Sequence, residues 1–202
     1  VAALLGACGE SSSDANEPAG TFQVKVTEAK FPALQRLGQT SLLRLGIRNT
    51  GKRTVPGLTV TFTVAGKEGV DSSLPFGVSD PQPELAQSDR PVWVLAETYP
   101  RLYGSSEPGG ASTSNRKTFD FGELKPGDTT RAVWKLSAVR AGKYTLLYSI
   151  DAGLSGRARA KTENGVVPGG SFVAEITPAL PETEVTDSGE IVEIKKGDKK
   201  GR

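Results

Sequence analysis

Cys8 is the one thiol in a chain of 202 residues that contains no histidine. That combination settles most of the available chemistry. Without imidazole there is no histidine general base, no Ser–His or Cys–His nucleophile pair, and no histidine ligand for zinc or copper. One cysteine also makes no disulfide within the chain. Carboxylates remain: Glu84, Glu97, Glu107, Asp120 and Glu123 lie in or beside one stretch rich in Gly, Ser and Pro. Glycoside hydrolysis needs two of them in fixed opposition, and no spacing here singles out an acid and a nucleophile. A carboxylate-dependent envelope hydrolase is therefore the alternative reading, set against a solvated surface.

Two near-motifs dissolve under their own requirements. "GIRNTGKR" at 46–53 spells a phosphate-binding loop until Arg53, where Ser or Thr is needed to hold magnesium. Strand-like runs flank it on both sides, so it reads as a hairpin turn. Ser114 to Lys117 fits a Ser-x-x-Lys nucleophile pair, but that chemistry needs a helical turn and two companion elements. The segment is loop-like and neither companion occurs. The acidic tract "PETEVTDSGE", and Asp71 near Asp80, show no calcium-loop pattern. No metal and no cofactor is expected.

Cys8 stands between the apolar "VAALLGA" and the polar "GESSSDANEPAG". Leu5-Gly6-Ala7-Cys8 resembles the bacterial lipobox, an aliphatic residue and two small ones before an obligatory cysteine. The resemblance implies that residues 1–7 end a signal peptide, that Cys8 carries a lipid, and that the protein is held to the cell envelope. That location is the outer side of the cytoplasmic membrane, or a periplasmic or outer-membrane one. Small residues suit the chemistry, since the modifying enzymes must reach the backbone and the thiol. Residues 8–20 form the lipidated Cys and a tether. Its twelve residues from Gly9 to Gly20 span roughly 20 Å if flexible.

The elements that position everything else alternate with period 2, the pattern of half-buried strands. "LTVTFTV" sets Leu58, Val60, Phe62 and Val64 against three threonines. "TFQVKVTE", "SLLRLGIRN", "RAVWKLS", "YTLLYSID" and "SFVAEIT" repeat the design. With Pro91–Glu97 and Thr118–Leu124 there are about eight strands, enough for a sandwich. No window carries a helical stripe. In "KPGD", Pro126 and Gly127 occupy the central positions of a type II turn. Residues 65–117 hold one strand-like stretch, "PVWVLAET", and read as a long excursion from the sandwich.

"LRLGIRNTGKRTVPGLTVTF" and "FDFGELKPGDTTRAVWKLSAVRAGKYTLLYSIDA" together resemble the immunoglobulin-like domains of bacterial surface proteins. The nearest type is the cell-adhesion-related domain found in bacteria. Asn49 and Gly51 match its N-x-G turn; Gly122, Leu124, Pro126 and Gly127 match its G-x-L-x-P-G step. The expectation is an all-β, immunoglobulin-like β-sandwich over 21–178, a fold that the resemblance supports, with flexible tails, the C-terminal one charged over 179–202. The last twelve residues of that tail carry five positive and two negative side chains, a solvated end or an auxiliary contact with an anionic surface.

Two surfaces present themselves. Trp93, Tyr99 and Tyr103 concentrate aromatic area in the excursion, either as a partner surface or, for Trp93, as a pin onto the sandwich. In "GRARAK", strand phase sends Arg157, Arg159 and Lys161 to solvent and Ala158 and Ala160 inward. Such a basic stripe grips anions or guards a sheet edge against aggregation. The net charge of +2 implies no nucleic-acid partner. The reading that follows is a non-catalytic, membrane-anchored module for binding or scaffolding. Its partners are the membrane through the lipid on Cys8 and an envelope protein or wall polysaccharide. A structural spacer or accessory subunit of an envelope complex is the further alternative.

Overall fold

Each alternating run places one row of apolar side chains on one side of an extended backbone, and those rows must be covered. The computed structural model describes residues 17–65, 75–78, 91–113, 117–178 and 182–193. Within them the chain is an all-β, immunoglobulin-like sandwich with no helix. One sheet is centred on β1 (Gly20–Lys30), β3 (Thr40–Asn49) and β10 (Thr129–Ala138). β12 (Ala158–Lys161) forms its edge beside β1, and β6 (Trp93–Leu95) with β5 (Phe76–Val78) extends it beyond β10. β7 (Arg101–Leu102) also pairs with β10. The facing sheet runs in the order β2 (Leu34–Arg36), β13 (Gly169–Thr177), β11 (Gly142–Asp151), β4 (Thr59–Val64), β9 (Thr118–Asp120) and β8 (Ala111–Ser112).

The core lies between the sheets and uses the side chains that the alternation assigns inward. Leu43, Leu45 and Ile47 meet Val60, Phe62, Leu146 and Ile150, all fully buried. Phe62 packs edge-on against Trp134 at 5.1 Å between ring centroids, and Phe119 closes on both. Aromatic pairs in this geometry add about 1 kcal/mol each beyond the area they bury.

The two turn motifs are one structural unit. Asn49 is fully buried. Its Nδ2 donates to the carbonyls of Arg53 and Leu124, each at 2.8 Å, and its Oδ1 accepts from Gly51 N–H at 2.9 Å. The backbone of Asn49 donates to Asp128 and accepts from Gly127. Gly127 has φ of +82° and the Asp128 N–H returns to the Lys125 carbonyl at 3.1 Å, the type II turn that the sequence predicts. A second glycine is required by crowding. β1 bulges between Val26 and Glu28, which brings Thr27 over Gly46, where a Cβ would lie 2.7 Å from Thr27 Oγ1.

Two expectations gain detail. The described parts of the 65–117 excursion pair into both sheets. β5, β6 and β7 extend the first and β8 extends the second. Strands of two or three residues carry too few alternations to be legible in sequence. The tail over 179–202 is likewise partly regular. β14 (Thr183–Val185) and β15 (Ile191–Glu193) form a hairpin closed by Thr186 and Glu190, with Gly189 at φ of +82°. The end of that tail, residues 194–202, lies outside the described residues.

Replacing Asn49 by Ala removes three hydrogen bonds, each worth about 1 kcal/mol, although the Leu124 carbonyl keeps the Val55 N–H and the Gly51 N–H keeps the Gln23 carbonyl. Asn49→Ala is expected to destabilise the fold by about 3 kcal/mol in urea unfolding. Asn49→Asp should cost more, because a carboxylate oxygen would face two carbonyls.

Candidate functional site

The residues singled out in sequence do not assemble into one site. Cys8 lies outside the described residues, as do Asp71, Asp80, Glu84 and Ser114. Trp93 offers no surface. It is fully buried, its Nε1 donates to Gln35 Oε1 at 2.9 Å, and its ring meets Phe31 at 5.6 Å and Tyr144 at 6.0 Å. Because Gln35 sits on β2 of the facing sheet, Trp93 ties the two sheets together. The sequence shows an aromatic, but it does not show that a buried amide stands opposite its N–H. Tyr99 is half-buried under the Arg101 guanidinium, 4.6 Å from its ring centroid. Of the three aromatics, only Tyr103 is openly exposed, at 73%.

The basic stripe has the predicted phase. Arg157 and Arg159 are exposed, Lys161 is half-buried, and Ala158 and Ala160 are buried. The strand that carries Arg159 and Lys161 is not a continuation of β11, however. It crosses to the other sheet and pairs in parallel with β1, Gly20 opposite Ala158 and Gln23 opposite Lys161. Glu97, Glu107 and Glu123 are exposed, and Asp120 accepts from Gly122 N–H. Among the described residues no three His, Cys, Asp or Glu side chains gather to hold a metal ion.

The structure adds a contact that the sequence reading missed. Glu17 is docked at the start of β12, with one carboxylate oxygen accepting from Ser155 N–H at 2.9 Å and the other from Ala158 N–H at 3.1 Å. Burial pushes its pKa up, but the Ser155 side chain, the two backbone N–H groups and the nearby Arg157 charge outweigh this and hold it below the ordinary carboxylate value. The body therefore takes hold of the chain at Glu17, three residues before β1.

A concavity lies farther along β1, past the other end of β12. β12 ends opposite Gln23, and from Val24 to Lys30 β1 pairs with β3 on one side. Among the described residues, no backbone hydrogen bond reaches this stretch from the other side. Alongside runs a turn, Thr162 to Val166, closed by the Thr162 N–H on the Val166 carbonyl at 2.8 Å. Between turn and strand is a hollow of about 520 Å³, lined by Val26, Asn164, Val166, Val167 and Pro168, with the fully buried Val24 beneath it. Val166 and Val167 are 62% and 53% exposed. A second hollow of about 510 Å³ adjoins it and shares Lys25 and Thr50. The signal for this site was present as the Asn164-Gly165 turn followed by two valines with no alternating partner.

No protein-family model matches the chain, and no curated protein matches it. Solved structures similar to it include the CARDB domain of a Pyrococcus furiosus protein, at 13% identity and TM-score 0.43, over 78% of this chain and 95% of that one. A cohesin module from a Clostridium perfringens family 33 glycoside hydrolase is similar at 11% identity and TM-score 0.41, covering 78% of this chain and 98% of the module. Escherichia coli alpha-2-macroglobulin is similar at 17% identity and TM-score 0.40, with 80% of this chain lying on 7% of that one.

Because the pKa of Glu17 is depressed on folding, its contribution is present above the unfolded value and lost as pH falls through the folded one. Glu17→Gln is expected to lower stability at neutral pH, and its difference from the unsubstituted chain should shrink in acid as the folded carboxylate protonates. Urea unfolding at neutral and acid pH measures this, and amide exchange at Ser155 and Ala158 should quicken in the variant.

Proposed function

We propose that this chain is a non-catalytic, immunoglobulin-like module of the bacterial cell envelope, tethered by lipid on Cys8, whose β1 groove takes an extended segment of an envelope protein. The observation that carries the reading is the open stretch of β1 from Val24 to Lys30 beside the Val166–Val167 wall. An open edge presents unpaired N–H and C=O groups, which a strand from another chain satisfies with a new ladder. The adjoining valines give that strand apolar pockets for alternate side chains. Natural edges are usually shortened, covered or charged. Here Arg159 and Lys161 guard β12 in that way, while β1 carries Lys25 and Lys30, and among the described residues no strand covers it from Val24 to Lys30.

The dock at Glu17 supports the tethered half of the reading. Eight residues, Gly9 to Asn16, separate it from Cys8, and at full extension these span at most about 30 Å. An anchor at Cys8 would keep the groove close to the bilayer, within reach of partners embedded in it or moored to it.

Mass spectrometry of the protein from membranes is expected to find Cys8 as the first residue, with diacylglycerol on its sulfur. A free thiol on an otherwise mature chain would end the tethered reading. For the groove, partners purified with the intact protein should protect amides between Val24 and Lys30 from exchange, and Val166→Asp with Val167→Asp should abolish that protection. Protection that survives in the variant would place the contact elsewhere.

A further inference from the structure

The net charge of +2 conceals a strong asymmetry between the two outer faces. On the sheet of β1, β3, β10 and β12, the outward positions include eight cations among neutral residues. Lys25 lies directly opposite Arg48, and Lys30 directly opposite Arg44. Arg131 and Lys135 continue the array on β10, across from Gly46 and Leu42. Arg159 and Lys161 extend it onto β12, across from Thr21 and Gln23. The only carboxylate at an outward position of these four strands is Glu28, 3.4 Å from Lys30. The facing sheet differs: its outer surface carries Arg36, Lys143 paired with Glu175 at 3.2 Å, and Asp120, among threonines, serines and the exposed Leu34, Leu147 and Val173.

Stability does not account for this arrangement. Like charges directly opposite one another on a sheet are destabilising, and this face holds two such pairs. Edge protection does not account for it either, since Arg44, Arg48, Arg131 and Lys135 lie on β3 and β10, which are central strands. The array is two-dimensional, with strands about 4.8 Å apart and outward residues about 6.8 Å apart along each strand. A single polyanionic chain needs one stripe of cations, whereas a plane of headgroups matches a plane of them. The dock that fixes Glu17 to Ser155 and Ala158 stands at the β12 end of this face.

We infer that the outer face of this sheet is a docking surface for the anionic phospholipid bilayer to which the chain is tethered. The body lies against its own membrane through the charges of β1, β3, β10 and β12, and the neutral threonine-rich face points away. This orientation rests on the tethered reading above, but the affinity of the face for lipid does not require the anchor. The two therefore fail separately.

The test uses the full chain with Cys8→Ser, so that no lipid contributes. It is expected to co-sediment with vesicles of equal phosphatidylglycerol and phosphatidylcholine at about 50 mM salt, and to leave them at about 500 mM, where surface charges are screened. Vesicles of phosphatidylcholine alone should not bind. Lys25→Gln with Arg48→Gln should weaken binding about tenfold or more, while Arg36→Gln with Lys143→Gln, which removes the same charge from the other sheet, should change it less than about twofold. All four positions are outward, and thermal melting checks that each variant folds. Equal loss from both pairs would overturn the assignment to this face, as would equal binding to both kinds of vesicle. Binding of soluble polyphosphate without binding of vesicles would overturn the bilayer as the occupant.

Discussion

The buried carboxamide of Asn49 is the constraint on which the sandwich depends. It stands at the end of β3, a central strand, where the chain must turn and begin the crossing that leads to β4 in the other sheet. Three of its hydrogen-bonding groups meet backbone groups from three places: the turn at Gly51, the loop at Arg53 and the step at Leu124. The buried Leu124 carbonyl is thereby met twice, by the Asn49 amide and by the Val55 N–H. One side chain thus closes two distant connections, and this fixes how the strands before and after them are paired. The isolated bridge between Val55 and Leu124 rests on the same closure.

At the opposite end of the sandwich, Trp93 and Gln35 serve a comparable purpose by a different route. The indole N–H meets the amide oxygen, and Gln35 Nε2 in turn donates to the Pro32 carbonyl. β6, next to the edge strand β5 of one sheet, is thereby joined to the edge strand β2 of the other. Phe31 and Tyr144 pack around this bond, so it is formed in a dry setting where hydrogen bonds are strong and their loss is costly. Between these two polar clasps the core is apolar and aromatic.

Function follows from how the outside of this frame is dressed. β1 occupies a special place because it has different partners along its length: β12 up to Gln23, and β3 alone from Val24 onward. The change of partner gives an open edge, a groove beside it and a cationic face across it, all within one strand of the Glu17 dock. A tethered module of this design would lie flat on anionic lipid and offer its strand edge sideways to a neighbour in the same membrane.

Alternation made the long strands legible, because a period of two with one buried face is a local property. The inward sets Phe22/Val24, Leu43/Leu45/Ile47, Leu58/Val60/Phe62/Val64, Ala132/Trp134/Leu136 and Tyr144/Leu146/Tyr148/Ile150 are all buried as that period requires. The turn at Pro126-Gly127 was legible for the same reason, since its backbone demand falls on the residues that form it. By itself, then, the sequence determined the all-β class, the long strands and which of their side chains point inward. Tertiary structure alone decided that the described parts of the 65–117 stretch join both sheets, that Trp93 is a clasp and not a contact surface, and that β12 joins β1. It also decided that separate lysines and arginines on four strands share one face. Those outcomes depend on which strands become neighbours, and pairing between residues far apart in the chain leaves no period in either partner.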